Sequence, residues 1–250
     1  RQLVIQKQWF SFLLWGRLSY DPTLSNEHFK QVLAARFPDV DGRQLFDALQ
    51  AASRIIPLVT RFHWENLDFQ WFPEACISHR RRYKGFHTVE HFINGPTMEE
   101  SGLMTIKKYC GAVRNDKPLT GTTPVQVAEE LRALADTALS AIAPLTPGNN
   151  KELRLQLGDI AAMAHLGRHY AAKIDGAVNL RFFDRSGEMH YRDAAVRHLE
   201  QALQHWRNYV DIATKQYKPQ LLTRLGMVDL NALTACVEDD IRIAEEWVTE

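Results

Sequence analysis

Two histidine pairs and one basic run are the residues of this chain whose types and spacing could do chemistry. His87-Thr88-Val89-Glu90-His91 matches H-x-x-E-H, in which two histidines one helical turn apart hold zinc and the glutamate acts as base. That chemistry needs a stable helix and a distant third ligand. Gly85 on one side and Gly95-Pro96 on the other leave room for little more than two turns, and no downstream acidic motif stands out. A loop or short helix with polar histidines is the simpler reading, and no metal or other cofactor is expected. His165 and His169 form a second i, i+4 pair. They are expected beside a helical seam, hydrogen-bonded or solvated, because no cysteine or carboxylate adjoins them in sequence.

The run His79-Arg80-Arg81-Arg82-Tyr83-Lys84 concentrates positive charge inside a segment rich in aromatic residues, Trp64 and Trp71 among them. An arginine fork can hold a carboxylate through two parallel hydrogen bonds, and an aromatic ring can pack on the apolar face of a sugar. Trp64, Trp71, Arg80, Arg81, Arg82 and Tyr83 are therefore candidates to contact an acidic saccharide. A solvated loop, or a contact to an acidic protein surface, is the other reading of the same residues. No G-x-S-x-G, Walker loop or Rossmann glycine run occurs, so acyl transfer, nucleotide hydrolysis and hydride transfer lack positive support. No pair of catalytic carboxylates stands out, since Glu129-Glu130, Asp239-Asp240 and Glu245-Glu246 fall where solvated helix faces explain them.

The elements that must position these residues are mostly helical. Leu3 to Leu18 reads as a helix with apolar residues on most sides. Ser25 and Asp41 are N-caps for two further helices, and Pro57 should end or kink the second. From about Arg61 to Thr123 the periodicity fades into an irregular aromatic stretch, and a long loop of that kind tends to carry function. Thr123-Pro124-Val125-Gln126 is then a capping box with proline at the first helical position. Three- and four-residue spacing follows through Ala128, Leu131, Ala135 and Ala138, then Leu153 to Ile174, then Val196 to Ala213, and after Gly226 from Leu230 to Val248. The expectation is an all-α protein, an up-down helical bundle with an irregular aromatic-rich insertion. It divides at 1–22, 23–122 and a four-helix bundle at 123–250.

Thirty basic residues balance thirty acidic ones, so no whole-chain field favours nucleic acid or an anionic membrane, and neither is expected as a partner. No apolar run reaches the roughly 18 residues of a membrane span. Cys76, Cys110 and Cys236 lack the spacing of a disulfide framework or a zinc ribbon and read as buried apolar residues.

Residues 14–22, Leu-Trp-Gly-Arg-Leu-Ser-Tyr-Asp-Pro, together with the Thr-Leu-Ser that follows, resemble the start of the C-terminal helical region of bacterial alpha-glucuronidases. Residues 169–174, 191–196 and 199–206 look like the paired helices of that region. Tyr20 departs from it, standing where a Trp is common, and the segment from His63 to Tyr109 has no counterpart, so a separate glycosidase-like family stays open. The resemblance implies a helical accessory domain of a polysaccharide-degrading glycoside hydrolase. Such a domain packs on a catalytic (β/α)8 barrel, helps close the sugar pocket and can support a homodimer. The catalytic carboxylates belong to the barrel, so none falls on this sequence. The first helix would then be the last of a barrel absent from this chain, with Trp15 packed in the interface or, like Arg17, reaching the sugar pocket; Arg17 and Asp21, four apart, could form a local ion pair. A periplasmic or secreted parent enzyme would fit. The alternative is a stand-alone helical module that binds a protein partner or oligomerises.

Overall fold

The computed structural model describes residues 4–64, 71–79, 85–222 and 225–249; among them, helices dominate and five short strands form two small antiparallel sheets. This is the all-α bundle with an irregular aromatic-rich insertion. At the amino end, α1 (Val4–Lys7) leads into α2 (Trp9–Tyr20). One side of α2 is covered, with Phe10 buried and Trp9, Leu13 and Leu14 packed against the core. Phe12, Trp15 and Leu18, three residues apart along the other side, are exposed.

Ser25 precedes α3 (Asn26–Arg36), and Asp41 caps α4 (Gly42–Ser53) by accepting from the backbone N–H of Arg43 at 2.8 Å. The cap sits at a close crossing. A Cβ on Gly42 would lie 2.6 Å from the backbone nitrogen of Ala34, so only glycine lets α4 start against α3. The chain breaks at Arg54 rather than at Pro57, which instead occupies the first turn of α5 (Ile55–Phe62). There the missing N–H would have had no helical partner.

The aromatic insertion folds around a three-stranded sheet in the order β1 (Trp71–Phe72), β2 (Ile77–Ser78), β3 (Gly85–Phe86), followed by α6 (Val89–Asn94) and α7 (Ile106–Arg114). Strands of two residues leave no alternating pattern to read in the sequence.

The capping box forms as expected at the start of α8 (Pro124–Ile142). Next come α9 (Lys151–Ser186) and α10 (Met189–Gln216), separated by Gly187 in the left-handed conformation at φ 71°. A hairpin of β4 (Gln220–Leu222) and β5 (Gly226–Val228) then intervenes. Gly226 therefore lies in a strand, and α11 (Leu230–Glu245) starts behind an Asp229 cap. Val248, expected on the last seam, falls beyond that helix and is exposed.

Helix α9 is the axis of the molecule. It packs against α8 and α10 along its length and touches α4, α5, α6 and α7, while α11 packs on α10 and α4 on α8. Its carboxyl half is buried almost all round, including His169, Tyr170, Lys173 and Ile174. Close neighbours need small residues there: a Cβ on Gly167 would meet Ile55 at 2.9 Å, and one on Gly176 would meet Leu199 at 2.9 Å. One hydrophobic core runs from Phe10 to Ala244, so residues 1–22, 23–122 and 123–250 all contribute to it.

Candidate functional site

The insertion is fastened to the bundle by a buried polar network centred on Lys173. Its ammonium, fully buried, lies 2.7 Å from Oδ2 of buried Asp240 on α11 and donates to the carbonyl of His87 at 2.6 Å. Asp240 accepts the backbone N–H of Val89 on its other oxygen at 2.6 Å. The rings of Phe86 and Phe92 lie 4.4 and 5.1 Å from the same ammonium. Burial raises the Asp240 carboxyl above its usual range, and Lys173 opposes that rise. Lys173 and Asp240 offset each other's charge and bond to backbone groups of the insertion, so the network is a clamp rather than a reactive site.

Histidines form its second layer. His63 Nε2 and His87 Nδ1 are 2.6 Å apart, and His63 stacks on Phe92 at 4.3 Å. His87 precedes the Thr88 cap of α6, a helix of six residues, while His91 stands inside it and accepts the Thr88 N–H on Nδ1. The two histidines thus do not share a helical face as a zinc-binding H-x-x-E-H requires. Among the described residues no group of three or more histidine, cysteine, aspartate or glutamate side chains is arranged to hold a metal ion. His169 is also placed differently from expectation. It lies in the α9–α10 seam, fully buried against Trp206, with Nδ1 donating to the carbonyl of Ala202 at 3.0 Å.

Gly95 abuts this layer and gives a direct test of its rigidity. A Cβ there would lie 2.6 Å from both Cε1 and Nδ1 of His63, although the backbone φ of −69° suits any residue. Gly95→Ala is expected to cost about 1–3 kcal/mol through overpacking. Urea titration checks this, and a loss below about 0.5 kcal/mol would mean that the ring moves freely.

The clamp presents the turn Pro73–Cys76 at the surface of the bundle. Tyr170 donates to the carbonyl of Pro73 at 2.5 Å and Tyr209 to that of Glu74 at 2.7 Å. Cys76 takes φ 53°, and its carbonyl accepts the N–H of His87 at 2.8 Å. Held in this way, Phe72, Glu74 and Ala75 form one wall of a groove of about 520 Å³, with Met163 of α9, Tyr209 of α10, Tyr217 at its end and the β4–β5 hairpin around the rest. That volume suits a small ligand, and the lining combines apolar surface with few polar groups. Asp159, also in the groove, is held by Lys7 at 2.7 Å, by Tyr217 at 2.8 Å and by Gln216 at 3.2 Å. Glu74 and Asp229 are the other carboxylates of the groove, and Asp229 caps α11 by accepting the N–H of Asn231 at 2.9 Å.

None of the described site candidates singled out from sequence lines the groove. Trp15 and Arg17 are exposed on α2, and Trp64 is half-buried with its backbone N–H on the carbonyl of Pro96. Trp71 is buried against His63 and His87 at ring distances of 5.0 and 4.8 Å. Arg80, Arg81, Arg82 and Tyr83 lie outside the described residues. The expected Arg17–Asp21 pair does not form: Asp21 leaves the helix in extended conformation and accepts from Thr23 instead. Those bonds hold its carboxyl below the usual range. Sequence reasoning missed Lys173, whose signal was a lone charge in the apolar run Ala171-Ala172-Lys173-Ile174.

This architecture defines a helical bundle whose insertion shapes a surface groove. No protein-family model matches the sequence, and no curated protein matches it. Among solved structures the chain is similar to a GH138 enzyme targeting pectin rhamnogalacturonan II, with a TM-score of 0.81 at 16% identity. The match covers 97% of this chain and spans 38% of the length of that one. At such identity the likeness is one of fold.

Proposed function

We propose that this chain is the helical domain of a glycoside hydrolase that degrades a uronic-acid-containing polysaccharide, seated on a catalytic barrel that supplies the reacting carboxylates. The observation that carries the reading is the likeness of 97% of the chain to 38% of a larger pectin-targeting enzyme. The exposed Phe12, Trp15 and Leu18 row on α2 supports it, since an apolar strip beside a covered helix face suits docking on a second body. The resemblance of residues 14–22 to alpha-glucuronidases points to the same class of acidic glycan. In this reading the groove beside Glu74 and Tyr209 faces the sugar and the bundle does not cut it. A stand-alone module that oligomerises through α2 is the other reading, favoured by that same exposed strip.

The test begins with the open reading frame that encodes these 250 residues. It is expected also to encode a (β/α)8 barrel with two facing carboxylates, and the whole enzyme is expected to release sugar from a uronate-containing polysaccharide. The isolated chain should release none. A reading frame without a barrel, or hydrolysis by the isolated chain, would overturn the assignment.

A further inference from the structure

A second cavity, of about 610 Å³, lies away from the groove, between α7, the carboxyl end of α9 and the start of α10. Four cations line it, Lys107, Arg114, Arg181 and Arg185, against the single carboxylate of Glu188. Two of the four are already compensated. Arg181 pairs with buried Asp184, which also lies 3.9 Å from Arg185 and accepts from Trp247 at 3.1 Å. Lys107 and Arg114 have no ion-pair partner among the described residues.

Helix electrostatics do not explain Lys107. Arg114 and Arg185 stand in last turns, where cations favour the helix dipole, but Lys107 is the second residue of α7, where the dipole opposes a positive charge. Lys107 and Arg114 are seven residues apart and so share a face of α7 with Cys110 and Gly111, all four lining the cavity. Gly111 is a poor helix residue in mid-helix, and nothing lies within 4 Å of where its Cβ would sit. Its place on that face leaves open floor between two unpaired cations. Cys110 brings no competing charge, because burial pushes its thiol up to about 12. Phe182 and Tyr191, stacked at 5.2 Å, supply an aromatic wall.

We propose that this cavity binds the carboxylate-bearing sugar of an acidic polysaccharide, Lys107 and Arg114 holding the carboxylate over Gly111 beside the Tyr191 and Phe182 rings. Arginine recognises a carboxylate through paired hydrogen bonds, and lysine adds a point charge. The site is a binding subsite, distinct from the groove at Glu74. The choice of a saccharide over another carboxylate rests on the glycoside hydrolase reading above.

Calorimetric titration of the 250-residue chain with an oligogalacturonide, a neutral oligogalactoside and inorganic phosphate tests it. The oligogalacturonide is expected to bind at least tenfold tighter than either of the other two. Lys107→Ala/Arg114→Ala should weaken that binding at least tenfold. Gly111→Leu should block it while thermal unfolding stays at or above the wild-type temperature, because the space beside that position is open. Absence of oligogalacturonide binding, or binding unchanged in these variants, overturns the proposal. Phosphate binding as tightly and displacing the oligogalacturonide also overturns it, leaving a general anion site. The reading frame and hydrolysis assays above decide the glycoside hydrolase reading separately, so the two can fail independently.

Discussion

Lys173→Met is expected to lower the unfolding free energy at pH 7 by about 3–5 kcal/mol, the usual cost of removing one partner of a buried ion pair. The substitution keeps most of the side-chain volume against Phe86 and Phe92 but leaves the Asp240 carboxylate buried without its ammonium, still accepting from the Val89 N–H. It also takes the ammonium donor away from the carbonyl of His87, a bond that fixes the insertion to α9. Asp240→Asn alone should destabilise for the mirror reason, stranding the ammonium. In Lys173→Met/Asp240→Asn neither charge remains, and Asn can still accept from Val89. The double variant should therefore be more stable than the sum of the single losses predicts. Urea denaturation of the four proteins measures the coupling. A Lys173→Met loss under about 1 kcal/mol, or strictly additive losses, would show that the pair does not clamp the insertion to the bundle.

Acid should destabilise the fold before its surface carboxylates titrate. Burial, with help from Lys173, lowers His169 to about 3, and burial together with His87 and Lys173 holds His63 well below the usual histidine range. Both are neutral when folded, whereas in the unfolded chain each takes up a proton below about pH 6.5. The unfolded state thus binds more protons between about pH 6.5 and the folded values, so stability is full above that window and falls as the pH drops through it. His169 alone should remove about 2 kcal/mol between pH 7 and pH 5. His63 adds to the same slope. Asp240 works in the opposite sense, since its raised carboxyl accepts a proton in the folded state before it would in the unfolded one. Urea midpoints at pH 7 and pH 5 check the slope, and His169→Asn should flatten it. Equal stability at the two pH values would contradict neutral burial of both rings.

Much of the bundle was legible because local rules set it. The Thr123–Gln126 capping box, the Asp41 cap and most of the three- and four-residue apolar spacing sit where the sequence places them. The candidate sites were less legible. Trp71 reads as a sugar-facing aromatic, yet it is buried because β1 lies over His63 and His87. Glu74 and Tyr209 are far apart in sequence and meet only because Tyr170 and Tyr209 hold the turn between β1 and β2. Lys107 and Arg114 are ordinary exposed helix cations until α9 and α10 place a cavity beside them.

The sequence by itself therefore determined the helices, their caps and their seams, since propensity, capping and periodicity act over a few residues. Which charges are clamped, which rings are covered and which carboxylates share a groove was decided by the tertiary structure. Those outcomes depend on the burial of groups brought together from distant parts of the chain, as Lys173 on α9 meets Asp240 on α11 beneath the loop that carries His87. Burial is what converts such residues from solvated side chains into a clamp, because only there does an unpaired charge become expensive.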